Sequence, residues 1–86
     1  MKMIIVIVKD HLHDALTRAL TEQQYRVTGI ASTGGFLRSG VATLLIGAED
    51  EQVDSAIQLI RKTAGSGSGE KQGTVFVVPV SRFEQV

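Results

Sequence analysis

The chain of 86 residues is 43% hydrophobic and 21% charged, a length that predicts one compact domain over 1–86 and leaves no room for a second. Nine Lys and Arg balance nine Asp and Glu, so the electropositive field with which nucleic-acid and acidic-membrane binders neutralise phosphates is missing. With no cysteine there are no disulfides, no thiolate nucleophile and no Cys-based zinc or iron–sulfur site, in keeping with a reducing, cytoplasmic setting.

The first element is Met3 to Val8, a continuous and mostly β-branched apolar run that stops at Lys9-Asp10. Continuity rather than alternation predicts a strand covered on both faces. The run is far too short to cross a bilayer and short for a signal-peptide core, so the chain reads as soluble and unexported. Leu12, Ala15, Leu16, Ala19 and Leu20 recur at helical spacing and predict an amphipathic helix from Asp10 to Gln24, with Asp10 as its N-cap. Val27 to Thr33 reads as a second strand, Gly34 to Gly40 as a loop and Val41 to Ala48 as a third strand. Asp50 is placed to cap a second helix whose apolar stripe is Val53, Ala56, Ile57 and Ile60, with Arg61-Lys62 in its last turn before Gly65. From Gly65 to Gly73 the Gly-Ser alternation reads as a flexible linker, either a natural minimal one or an engineered replacement of a longer loop. Thr74 to Val80 is the last strand, its end marked as an edge by Pro79, and Phe83 to Val86 reads as a short extension.

The order β-α-β-β-α-β predicts an α+β, ferredoxin-like sandwich in which an antiparallel sheet carries both helices on one face. The other face, equally apolar, is left bare. A domain this small buries only about 60% of the surface its unfolded chain exposes. Disulfides are excluded, and only His11 and His13 are strong zinc ligands, so self-association is the remaining remedy. A closed cyclic homo-oligomer covers the bare face most simply.

His11-x-His13 could in principle chelate a metal, but residues two apart on a helix point to different sides, and the pair reads as solvated side chains at a helix start. No nucleophile–His–acid set can be assembled, so the chain does not read as an enzyme. The connection Ser32-Thr33-Gly34-Gly35-Phe36-Leu37-Arg38-Ser39-Gly40 is chemically richer. Glycines let backbone N–H groups approach an anion, hydroxyls add donors, and an Arg adds a forked charge suited to phosphate. It matches neither a P-loop nor a dinucleotide fingerprint. On composition it fits a nucleotide-binding loop, or a hairpin loop whose Phe36 and Leu37 enter a subunit interface. Just upstream, Arg26 and Thr28 flank Val27 and project to one side of the second strand. Phe76 and Phe83 read as core or interface aromatics rather than base-stacking platforms.

The opening MKMIIVIV, Arg26-Val27-Thr28, the run from Ser32 to Gly40 and the ending Thr74-Val75-Phe76-Val77-Val78-Pro79-Val80 together resemble the PII-like cyclic di-AMP receptor family over nearly the whole chain. The resemblance implies a trimer of ferredoxin-like subunits that binds cyclic di-AMP between neighbours and signals by rearranging loops, with no cofactor and no catalysis. It implies roles for Arg26 and Thr28 beside phosphate or base edges, and for Gly35, Phe36 and Leu37 as a wall against an adenine. Gly47 would permit close approach, and Phe76 and Gln85 would close the pocket. Two departures stand out. Val41 occupies the place of an Asn that reads the adenine, which removes a donor and an acceptor, and the connection from Gly65 to Gly73 is much shorter than the family's loop. The first favours the other reading of the same fold, a ligand-free trimeric module that regulates a protein target through its loops, and the second removes any partner contact that a long loop would make.

Overall fold

The computed structural model describes residues 1–30, 40–65 and 73–86. Its elements are β1 (Lys2–Lys9), a 3-10 turn (Asp10–Leu12), α1 (His13–Glu22), β2 (Arg26–Ile30), β3 (Val41–Ala48), a second 3-10 turn (Asp50–Gln52), α2 (Val53–Ala64) and β4 (Gly73–Pro79). The strands form one sheet in the order β2-β3-β1-β4, with every neighbouring pair antiparallel. This is the ferredoxin-like α+β arrangement.

Strand parity divides the molecule. Successive side chains of a strand point to opposite faces, and in β1 Ile4, Val6 and Val8 are buried while Met3, Ile5 and Ile7 between them are only half-buried. Opposite the buried set, β3 places Ile46, Leu44 and Ala42. These side chains, with Leu12, Leu16 and Leu20 of the first helical segment and Ala56 and Ile60 of α2, make the core. Both helices therefore cover one face, and the core contains none of Met3, Ile5, Ile7 or Leu45.

The helical stripes are narrower than their sequence pattern. Ala15 is exposed, and in α2 it is Leu59 rather than Ile57 that packs on the core beside Val53, Ala56 and Ile60. α1 begins later than its apolar periodicity predicts, and Asp10 is not its N-cap. The Asp10 N–H donates to the Gly40 carbonyl at 2.7 Å, so its backbone is still tied to the sheet and the chain tightens through a 3-10 turn before the helix starts. At the other end Gln24 takes φ 72°, the Tyr25 N–H reaches the Leu20 carbonyl and the Gln24 N–H the Thr21 carbonyl, a Schellman closure that aims the chain into β2.

Asp50 is likewise not the cap of the second helix. Its carboxylate pairs with the Met1 amine at 3.2 Å, and the start of the turn is held by the Glu49 N–H donating to Gln52 Oε1 at 2.9 Å. Gly65 ends α2 in the left-handed region, φ 74°, and its N–H bonds back to Lys62. Gly73 opens β4 opposite Val8, where the two backbones lie so close that a Cβ would overlap the Ile7 carbonyl oxygen and come 2.7 Å from Val8 Cγ1. The expected extension over Phe83 to Val86 forms neither strand nor helix: past Pro79 the exposed chain is attached by the Val80 N–H to the Met1 carbonyl. The predicted remainder of the second strand, 31–33, the loop 34–39 and the tract 66–72 lie outside the described residues.

Two outcomes test this packing. Leu16→Ala should cost about 2–5 kcal/mol in chemical denaturation, because Leu16 is fully enclosed between α1 and the sheet. Gly73→Ala should cost about 1–3 kcal/mol and lower the thermal midpoint, since β4 must move off β1 to admit a methyl group; an unchanged midpoint would mean that the two strands are not in this close contact.

Candidate functional site

On the face away from the helices, the registers line up side chains in rows that run across all four strands. The first row is Arg26, Gly47, Met3 and Val78, and the second is Thr28, Leu45, Ile5 and Phe76. Arg26 and Thr28 thus stand one above the other on edge strand β2, and both are exposed. Next to Arg26 the row drops to Gly47, which has no side chain, and then continues to half-buried Met3. A Cβ at Gly47 would meet Met1 Cε at 3.4 Å, an ordinary contact, so the missing side chain leaves room on the surface rather than relieving a clash.

A cleft of about 940 Å³ opens over this row, at the end of the sheet where β1 and β2 begin and β3 and β4 finish. Its size falls within the usual range of small-molecule sites. Arg26, Thr28, Leu45 and Gly47 form part of its floor, and one wall is the irregular segment Val80, Ser81, Arg82, Phe83 and Gln85. Lys2, Arg26 and Arg82 contribute positive charge, against a single described carboxylate lining the cleft, that of Glu49. Arg82 is held by Glu84 at 3.0 Å, and Tyr25 is fixed by its hydroxyl donating to the Gln52 carbonyl at 3.3 Å. The setting offers cations, hydroxyl and amide donors, a glycine-floored dip and apolar surface. Those are the elements needed to hold a phosphate ester that carries a flat aromatic base.

Of the residues singled out in sequence, Arg26, Thr28, Gly47 and Gln85 therefore meet in one cleft. Phe76 does not line it. It lies in the same row as Thr28 but on the opposite edge, three strands and about 14 Å away. Gly35, Phe36 and Leu37 lie outside the described residues. Sequence reading set Phe83 aside as a core or interface aromatic and did not single out Arg82 or Lys2; Lys2 reaches the cleft from the start of β1, and Arg82 and Phe83 because the chain beyond β4 passes it. The signal available for them was weak, an Arg-Phe pair shortly after a strand-ending proline.

A second, smaller hollow of about 580 Å³ lies at the opposite end of β3, lined by His11, His13, Asp10, Asp14, Thr17 and Val41 among others. His13 Nδ1 is 3.0 Å from Asp14 Oδ1, and its Nε2 would be 2.9 Å from a Cβ at Gly29. Among the described residues no group of three or more His, Cys, Asp or Glu is arranged to hold a metal ion, and no helix is long and apolar enough to cross a membrane.

Comparison with known proteins bears on the fold and the family. A solved structure described as a functionally unknown protein from Pediococcus pentosaceus ATCC 25745 is 33% identical, matches 99% of this chain and 96% of its own, and superposes with a TM-score of 0.78. The family model described as "Cyclic-di-AMP receptor" matches residues 1–71, from β1 through α2 and beyond, and includes Arg26, Thr28 and Gly47 on the cleft floor. The chain belongs to the cyclic-di-AMP receptor family.

Proposed function

We propose that the chain is a non-enzymatic receptor subunit that binds cyclic di-AMP in clefts between three copies of itself. The observation that carries this reading is the exposed row on the open sheet face, in which Arg26 stands beside side-chain-free Gly47 with Thr28 directly above. A guanidinium supplies a forked, permanently charged partner for a phosphate, a glycine lets a ring or ribose lie against backbone, and a hydroxyl can donate or accept at a base edge.

Geometry supports placing the ligand between subunits. Val41 and Gly47 lie at opposite ends of extended β3, roughly 20 Å apart. The loop residues Gly35, Phe36 and Leu37 precede Val41 in the chain, whereas Arg26 and Thr28 pair at the Gly47 end. One copy cannot bring both ends of a strand to a single small ligand. Joining them takes the Val41 end of one copy against the Gly47 end of the next, and repeated head to tail about a three-fold axis that contact closes as a ring of three. The same association covers the open apolar face of Ile5, Leu45, Val78 and the half-exposed Phe76 and Ile30. In this reading Phe76 and Gln85 close the site, and loop movement on binding is the signal delivered to a protein target in the cytoplasm.

Light scattering of the purified protein should give a mass of three subunits at micromolar concentration; a stable monomer would remove the cleft as drawn. Calorimetry against cyclic di-AMP, cyclic di-GMP, ATP, ADP and AMP should give tightest binding for the first. Arg26→Ala should weaken it by about 1.5–3 kcal/mol without changing assembly, since the exposed guanidinium contributes little to folding. Gly47→Ala should fold normally and bind more weakly, because its methyl group fills the dip. Val41→Asn should strengthen adenine binding by restoring a donor and an acceptor at the neighbour's end of the site. Absence of nucleotide binding by both the natural chain and the Val41→Asn variant would favour a ligand-free trimeric module acting on a protein target, the reading that the apolar Val41 side chain favours.

A further inference from the structure

We infer that Phe83 is a base-stacking residue of this cleft, an assignment that rests on the nucleotide reading above and extends it to the identity of the aromatic platform. Two described aromatic rings line the cleft, Tyr25 and Phe83. Tyr25 is committed elsewhere: it packs against the core, and its hydroxyl is tied to the Gln52 carbonyl. Phe83 is absent from the core and leaves 56% of its surface open.

Its surroundings fit a nucleobase better than an apolar partner. The ring is flanked in sequence by Arg82 and, two residues on, by Gln85, and all three line the cleft together with Arg26 and Gly47. A planar heterocycle entering the cleft can place one face on the Phe83 ring while its polar edge meets an amide and its phosphate a guanidinium. An aliphatic ligand would make no use of those donors. The ring is also free to adjust. Residues 81–86 are exposed and carry no regular secondary structure, and the nearest backbone bond to the sheet is that from Val80 to Met1. The segment can therefore settle onto a ligand without breaking a ladder.

The test compares Phe83→Leu, which keeps apolar bulk but removes the ring, with Phe83→Trp, which keeps a ring. Cyclic di-AMP is the probe, with calorimetry as the readout and light scattering on each variant. Phe83→Leu should bind about 5- to 150-fold more weakly than the natural chain, the range expected for loss of one base–aromatic stack, with assembly unchanged. Phe83→Trp should bind at close to natural strength. Because the chain has no other Trp, its emission should change on titration and saturate with the calorimetric affinity. Full-strength binding by Phe83→Leu, a silent Trp in a variant that binds, or loss of assembly in Phe83→Leu would overturn the assignment; the last result would make the ring an interface contact. Failure of the natural chain to bind cyclic di-AMP would overturn the receptor reading itself, which separates the two failures.

Discussion

Everything in this molecule depends on the two-sided use of β1. A central strand with a neighbour on each edge has no freedom to slip, because a shift of one residue would exchange its two apolar sets. Ile4, Val6 and Val8 are committed to the helices, and the burial of Leu16, Leu20, Leu44 and Ile46 around them fixes that commitment. Met3, Ile5 and Ile7 are then delivered to the opposite face, together with whatever β2, β3 and β4 hold in register with them. The open face is a consequence of the core rather than a separate feature.

That coupling explains why the candidate site is built from backbone as much as from side chains. Arg26 arrives at the sheet end because the Schellman closure of α1 turns the chain sharply at Gln24 and Tyr25. Gly47 arrives next to it because the β2–β3 register pairs the two. The far wall is supplied by the chain after Pro79, which cannot extend the ladder as another residue would, and so leaves the sheet beside Met1. Cations gather there without any excess of positive charge in the sequence as a whole, since Lys2, Arg26 and Arg82 come from three different places in the chain.

The stability of the arrangement and its capacity to bind are nearly independent. Core packing lies on the helix side, and the residues of the cleft floor are mostly exposed or half-exposed. Substitutions on the open face therefore leave the core packing untouched. A neutral chain such as this can still hold an anionic ligand because local geometry, rather than overall field, concentrates the donors.

Periodicity alone determined the order of strands and helices, the apolar commitment of the two helices and the same-side projection of Arg26 and Thr28. These follow from apolar runs, the 3.6-residue helical repeat and the two-residue alternation of side chains along a strand, which sequence displays directly. The resemblance carried by Arg26-Val27-Thr28 and the run from Ser32 to Gly40 supplied the family. The tertiary structure decided the rest. Asp10 and Asp50 look like caps in sequence, but Asp10 is tied by its N–H to Gly40 and Asp50 by its carboxylate to Met1, both partners lying far away in the chain. Phe76 and Phe83 are the same residue type a few residues either side of Pro79, yet one stands at the far edge of the sheet and the other lines the cleft. Which of them faces a cleft depends on strand order and on the path of the chain after β4, and no local pattern encodes either.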